Sequence, residues 1–463
     1  PPFCVGSALG FRFRGPLWLC FSVALKMSEQ MAPAAAQVAQ ALGKEKLKVV
    51  LYTIPMMGHA LPMVSIGRAL SQRGHQVIFA VSEGLGKVDD LCKMAGMRYV
   101  GLSDGITAEY LKTQDPLGPV FEDFLEVDQA PVNALVEKES PDVIVSDYAS
   151  GAPFEICKEK NIPLVLNYPL PGTLAKRMRL LINVPLIGRV VPYVLGNGMK
   201  NGIIFINHRV MPVSNRTLSI VNSSPALDGP IQFPSNYFLS GPLDGFEKRE
   251  LCPEKHADLL TFLEKARSAQ KPVAYITTGS LLQLSQEQVI ALYEGFAACD
   301  MWVVWSLKKE KQQLLPEDLP ERFYVNAWIP QAELVQRPEL LCVLTHCGWG
   351  GTLECMLAGK AVICYAGFGD QFENAKLMNA RGCGPIVSDP PGSTAKDIQA
   401  AVEDVLENQE SYSASARKVS QDLHASPGPT AVAERIEDVV KNGMGDMVPK
   451  PYHLHGPEGC QIQ

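Results

Sequence analysis

No run of about 20 apolar residues occurs in the chain, so nothing in it reads as a membrane-spanning helix. Positive charge is not in surplus: 42 Lys and Arg face 49 Asp and Glu, a net charge of −7. A general nucleic-acid binder usually carries the opposite balance. None of the 12 cysteines forms a C-x-x-C pair. Cys342, Cys355 and Cys364 lie in apolar runs, as free buried thiols do in a reducing compartment. The spacing of Cys342, His346, Cys347 and Cys355 is wrong for a structural zinc site, and core packing is the better reading. A hydrolase has no G-x-S-x-G to rest on, and no internal repeat or low-complexity tract stands out. What is present is 463 residues, 46% hydrophobic and 20% charged, enough for roughly two or three globular domains. An acidic chain of this kind binds an anion only through local dipoles and donors.

The most informative stretch runs from Trp328 to Gln371. An apolar run, Leu340 to Thr345, ends abruptly in His346-Cys347-Gly348-Trp349-Gly350-Gly351-Thr352. Leu353, Met356 and Leu357 then recur at helical spacing until Gly359. A second apolar run, Ala361 to Tyr365, ends in a glycine-punctuated turn carrying Asp370 and Gln371. This pattern predicts strand, glycine loop, helix, strand and loop, a βαβ unit with polar groups at the carboxyl ends of both strands. An open parallel sheet places its ligand crevice there. Glycines let a backbone approach closely, and the helix start offers unpaired N–H groups and the positive end of a dipole. His346 adds a donor. Glu354, three residues beyond Gly351, is placed where a carboxylate could bind vicinal hydroxyls. A loop for phosphate, a carboxylate for a ribose, and Asp370 and Gln371 for further hydroxyls together describe a nucleotide-sugar.

The same residues carry a resemblance. The stretch is similar to the signature box of the UDP-dependent glycosyltransferases (family 1), in the form used by plant secondary-product enzymes. That box begins with Trp, passes through His-Cys-Gly-Trp and closes with Asp-Gln, as the 44 residues from 328 to 371 do here. The resemblance implies a GT-B type α/β fold, two Rossmann-like domains facing a central cleft. It implies that Trp328 stacks on uracil, Gln331 helps hold the nucleoside, and His346 meets the diphosphate. Glu354 would take the ribose hydroxyls, Asp370 and Gln371 the sugar, and Gln371 resembles glucose-using members. Trp349, Gly350 and Gly351 fall in the same donor site. The family's usual Asn and Ser after the second Trp are Gly350 and Gly351 here, so only backbone N–H groups could meet phosphate at those two positions. No D-x-D carboxylate pair occurs, and neither a metal nor a cofactor is expected. Leaving-group charge would fall to helix N-termini and His346.

Earlier in the chain, Leu47 to Ile54 reads as a strand, followed by a loop, a helical pattern (Met63, Ile66, Leu70) and a second strand, His75 to Val81. Gly58-His59-x-x-Pro62 matches the acceptor-side motif of the same family, in which the His is the general base. An acceptor hydroxyl must lose its proton as it attacks, and an imidazole titrates in the right range to take it. Pro141 to Asp147 reads as a buried strand. Asp147 matches the family's partner aspartate, although an Asp just before a helix is also a common cap. Pro272 to Ser280 predicts a strand and glycine loop. The resemblance puts that loop near the phosphates, making Thr278 and Ser280 candidate donors; Ser306, ending the strand Met301 to Leu307, is a candidate nucleoside contact.

The expected organisation is an N-terminal extension (1–46), an acceptor domain (47–243), a linker (244–270), a UDP-sugar domain (271–425) and a C-terminal helix and tail (426–463). The helix, Thr430 to Asn442, is a candidate to pack back on the first domain. Residues 1–26 read as translated upstream sequence before Met27 or as a truncated signal sequence. The first reading suits a soluble cytoplasmic enzyme without a membrane anchor. Asn215-Arg-Thr and Asn222-Ser-Ser fit the glycosylation pattern without overturning it. The expected function is an inverting transfer of a hexose, glucose by preference, from a UDP-sugar to a hydroxyl on a small lipophilic acceptor. The alternatives are a non-catalytic UDP-sugar binder and a sugar-nucleotide epimerase on the same fold. The acceptor itself is not readable from 168–235.

Overall fold

A computed structural model describes residues 45–107, 109–110, 129–183, 217–244, 250–279 and 282–444. Most of the N-terminal extension, the C-terminal tail, Ser280 and Asn215 lie outside these. The first unit contains strands β1 (Lys48–Tyr52), β2 (Gln76–Ser82), β3 (Arg98–Leu102), β4 (Val143–Asp147), β5 (Leu164–Tyr168), β6 (Leu218–Val221) and β7 (Tyr237–Leu239). They form one parallel sheet in the order β3-β2-β1-β4-β5-β6-β7. The second unit contains β8 (Val273–Thr277), β9 (Trp302–Ser306), β10 (Phe323–Asn326), β11 (Leu340–Thr345) and β12 (Ala361–Cys364). These are parallel in the order β10-β9-β8-β11-β12. Their near-continuous Val, Ile, Leu and Ala content is what strands buried on both faces require.

Each sheet reverses its strand order once, between β1 and β4 in the first and between β8 and β11 in the second. Such reversals leave a crevice at the carboxyl ends, because the helices on either side depart to opposite faces. The chain places its polar loops at these two points.

The helix Met57–Gln72 begins earlier than the apolar spacing suggests, so Gly58 and His59 sit in its first turn and Pro62 lies inside it. Pro62 has no N–H to give the carbonyl of Gly58, a loss tolerated close to a helix start. The helix Ala257–Ser268, within the stretch read as linker, buries Leu259, Phe262, Leu263 and Ala266 in the same core as Val273 and Tyr275 of β8. That part of 244–270 is integral to the second unit.

The last helix, Gly428–Asn442, returns to the first unit. Val432, Ala433, Ile436, Val439 and Val440 join its core beside Leu47, Val49 and Met63. Glu437 accepts from Arg73 Nε (2.6 Å) and lies 2.7 Å from His75 Nε2. The Arg73 hydrogen bond, with His75, holds its carboxyl down at about 2. Two backbone segments cross between the units side by side. Gly428 N–H donates to the Ser240 carbonyl (2.8 Å), and a Cβ on Gly241 (φ +73°) would lie 2.1 Å from the Cβ of Ser426. Asn222 of the second sequon is buried, its side-chain amide donating to Asn167 Oδ1 (2.8 Å), so a glycan could not be carried there.

Candidate active site

At the first reversal, His59 and Asp147 meet. The helix after β1 brings the imidazole to the end of β4, where His59 Nδ1 lies 2.8 Å from Asp147 Oδ2. Asp147 is fully buried, and its other oxygen accepts from the Ala149 N–H (2.8 Å), which fixes the carboxylate. With Nδ1–H given to Asp147, the imidazole presents Nε2 as an acceptor for a substrate proton. Burial works against the imidazolium, but the Asp147 charge and hydrogen bond, with Asp370 behind them, raise the pKa of His59 above its usual value. Tyr148 stacks on His59 with ring centroids 6.2 Å apart, and on Tyr168 at 4.9 Å. Ile54, Ile106 and Ala149 form a small apolar cluster there, with Met56, Tyr110 and Tyr148 packed against it.

At the second reversal the corresponding groups are Gly279 after β8 and His346 after β11. A Cβ on Gly279 (φ +66°) would lie 2.5 Å from the His346 ring, and one on Gly348 would also come within 2.5 Å. Both glycines are needed to seat the imidazole. Cys347 adopts φ +66°, a conformation few side chains take, and its N–H is held by Thr345 Oγ1 (3.1 Å). Burial drives the pKa of His346 down to about 4, so the ring is neutral near pH 7. His346 Nδ1 and Thr352 Oγ1 are buried without a partner among the described residues. The helix Trp349–Leu357 starts at this point, with its first N–H groups unpaired along the chain.

A cavity of about 380 Å³ opens beside this loop. Four of the residues singled out in the sequence line it: Thr278, Ser306, Trp328 and Gln331. Trp328 is 68% exposed, an indole face free to take a flat partner. Gln331 Nε2 donates to Glu354 Oε2 (2.6 Å), joining two more of the set, and Tyr275 Oη donates to Gln331 Oε1 (3.4 Å). Asp370, whose carboxyl is pushed up by burial, accepts from Asn374 Nδ2 (2.9 Å). The Gln371 amide oxygen is already used by the N–H groups of Gly367 (2.8 Å) and Phe368 (3.1 Å), so its NH₂ is the part left for a ligand.

Trp349 needs correcting as a donor-site side chain. Its indole is buried, and Nε1–H donates to the Asn222 carbonyl of the first unit (2.9 Å), so it ties the units together. Arg381 Nε to the Leu227 carbonyl (2.9 Å) and Arg177 to Glu373 (2.7 Å) are further ties. At Gly350 a Cβ would meet nothing within 4 Å, and at Gly351 nothing closer than 3.6 Å. Packing therefore does not demand glycine at either. Sequence reasoning missed Asn374, which anchors Asp370 and the Cys347 carbonyl (2.8 Å) together. It also missed Lys308 and Lys311 in the cavity wall. The described residues contain no cluster of His, Cys, Asp or Glu able to hold a metal ion, and no helix long and apolar enough to cross a membrane.

Comparison with known proteins agrees with this geometry. Residues 250–430 match the model of the UDP-glucoronosyl and UDP-glucosyl transferase family. The chain is 31% identical over 146 residues to UDP glycosyltransferase 9 of Catharanthus roseus, a stretch covering 30% of this chain and 31% of that protein. It thus spans about a third of that relative's length. A UDP-glycosyltransferase of Talaromyces amestolkiae aligns over 86% of this chain and 88% of its own, at 24% identity. Medicago truncatula UGT71G1, solved with UDP-glucose, superposes with a TM-score of 0.68 at 16% identity, covering 86% of this chain and 99% of that one. The fold is the GT-B arrangement of two Rossmann-like domains, and residues 250–430 of its second half are similar to the UDP-glucoronosyl and UDP-glucosyl transferase family.

Proposed function

We propose that the protein transfers a hexose from a UDP-sugar to a hydroxyl of a small, lipophilic acceptor, with inversion at the anomeric carbon. The observation that carries this is the His59–Asp147 pair, a base and its orienting carboxylate, within electrostatic reach of Asp370 of the second unit. A protein that only bound the nucleotide sugar would have no use for such a pair. His59 Nε2 takes the acceptor proton as the oxygen attacks the anomeric carbon, and UDP departs from the opposite face. One displacement inverts the configuration, giving a β-glycoside from an α-linked donor.

On the donor side, Trp328 stacks on the base, and Gln331 and Ser306 hold the nucleoside. Glu354 takes the ribose hydroxyls. Thr278, Ser280, His346 and the backbone N–H groups of Gly350 and Gly351 meet the diphosphate. Neutral His346 donates a hydrogen bond there and brings no charge. Asp370 and Gln371 hold the sugar. UDP-glucose is the donor to try first, supported by the Medicago relative's bound ligand and by Gln371. The apolar side chains of Met56 and Tyr148, packed over buried Ile54, Ile106 and Ala149 beside the base, support a lipophilic acceptor.

The test is mass-spectrometric detection of glycoside and released UDP with a panel of phenolic and sterol acceptors. Acceptor-dependent product with β configuration is expected, and His59→Ala should reduce it by roughly 10²–10⁴-fold. Retained configuration, or full turnover in the variant, would refute the mechanism.

A further inference from the structure

We infer that Lys308 and Lys311 form a cationic rim of the donor cavity that takes the diphosphate of the nucleotide sugar; the inference rests on the donor site proposed above. Lys308 lies on the loop after β9 and Lys311 in the short helix Lys309–Gln312. Both side chains line the cavity beside Thr278, Gly279 and Trp328. No other charged residue lines it. The loop has a fixed shape, since Gln312 Nε2 donates back to the Leu307 carbonyl (2.8 Å).

Three further observations point the same way. Neither lysine side chain has a hydrogen bond or an ion pair among the described residues, Lys311 feeling only the more distant charge of Glu287, whereas other cations of the second unit are paired: Lys265 to Glu321, Lys271 to Asp300, Arg337 to Glu339. The two ammonium groups stand at one cavity in a chain of net charge −7. His346, packed against Gly279 at the cavity's edge, is neutral near pH 7 and supplies no positive charge there. Gly350 and Gly351 offer no side-chain donors, although there is room for them. Helix-terminal N–H groups contribute only partial charge. A diphosphate therefore finds its full positive counter-charges in this cavity on the two lysines. An ammonium is a point charge on a flexible stem and can meet phosphate without fixed geometry.

The experiment is calorimetric titration of UDP and of uridine at low and high ionic strength, on the wild type, Lys308→Gln/Lys311→Gln and Lys308→Arg/Lys311→Arg. The Gln pair should bind UDP about tenfold more weakly or worse. Its salt dependence should flatten, its uridine affinity should stay unchanged, and the Arg pair should stay close to wild type. Unchanged UDP affinity and salt slope in the Gln pair would overturn the lysine assignment alone. An equal loss for uridine and UDP, with the melting temperature intact, would overturn it too, because the lysines would then be shaping the nucleoside pocket. Failure of the wild type to bind UDP at all would overturn the donor site together with the inference.

Discussion

The two sheets place a histidine at the same kind of crevice and give it opposite surroundings. In the first, the strands beside the reversal deliver His59 and a buried carboxylate, Asp147, 2.8 Å apart. In the second they deliver His346 and a glycine, Gly279, close enough that a single methyl would collide with the ring. The outcomes follow from electrostatics. Burial lowers an imidazole's pKa in both places, but only the first supplies negative charge to reverse it. One ring becomes a base able to carry a proton, and the other a neutral hydrogen-bond donor. The identity of the residue says little here; the neighbour decides.

The largest test of this contrast is Asp147→Asn. It keeps the shape of the pair and removes its charge, and should lower kcat by roughly 10²-fold or more. The base form of His59 grows as pH rises through its pKa, which lies above 6.5, so kcat/KM should climb across that range. In the variant the climb should move to lower pH. An unmoved pH–rate profile would separate His59 from the acid limb. Gly279→Ala comes next, combining the left-handed backbone with the collision at His346. A loss of about 1–3 kcal/mol in stability, together with weaker UDP binding, is expected from denaturation and titration.

A direct comparison of the two rings is available from NMR. His59 should titrate above 6.5, and His346 only near 4. Linkage gives the sign for stability: His346 binds a proton more readily unfolded, so its contribution is complete above pH 6.5 and declines as pH falls toward 4. A smaller fall in stability between pH 7 and 4 in a His346→Gln background than in the wild type would isolate it. The smallest effect belongs to Gly350→Asn, which meets open space and should change stability by under about 0.5 kcal/mol, as read by thermal melting.

The donor side was the more legible half. Most of its candidate residues lie in one contiguous stretch, and strand-loop-helix periodicity alone places His346 and Asp370 in the loops after strands and Glu354 in the helix between them. The first sheet yielded His59 and Asp147 for the same reason, although the helix begins at Met57, ahead of the apolar spacing that starts at Met63. Trp349 was not legible. Whether an indole in a glycine loop turns to a ligand or to a neighbour depends here on the carbonyl of Asn222, 127 residues away. Lys308 and Lys311 sit in a charged turn, KKEK, which reads as solvated surface until β9 pairs with β8. The helix Gln409–His424 escaped because only Ala416, Val419 and Leu423 of its 16 residues are buried, too sparse a stripe to mark it.

The side-by-side crossing at Ser240–Gly241 and Ser426–Gly428 has a mechanical consequence. A body hung from its neighbour by one backbone can twist about it in any direction. One hung from two adjacent backbones, bonded to each other, turns mainly about the line through both. Because Gly241 has no side chain to hold Ser426 away, the two pins of this gate stand almost in contact and act as one axle. A swing on that axle would strain the ties Trp349–Asn222, Arg381–Leu227 and Arg177–Glu373 that join the two units elsewhere.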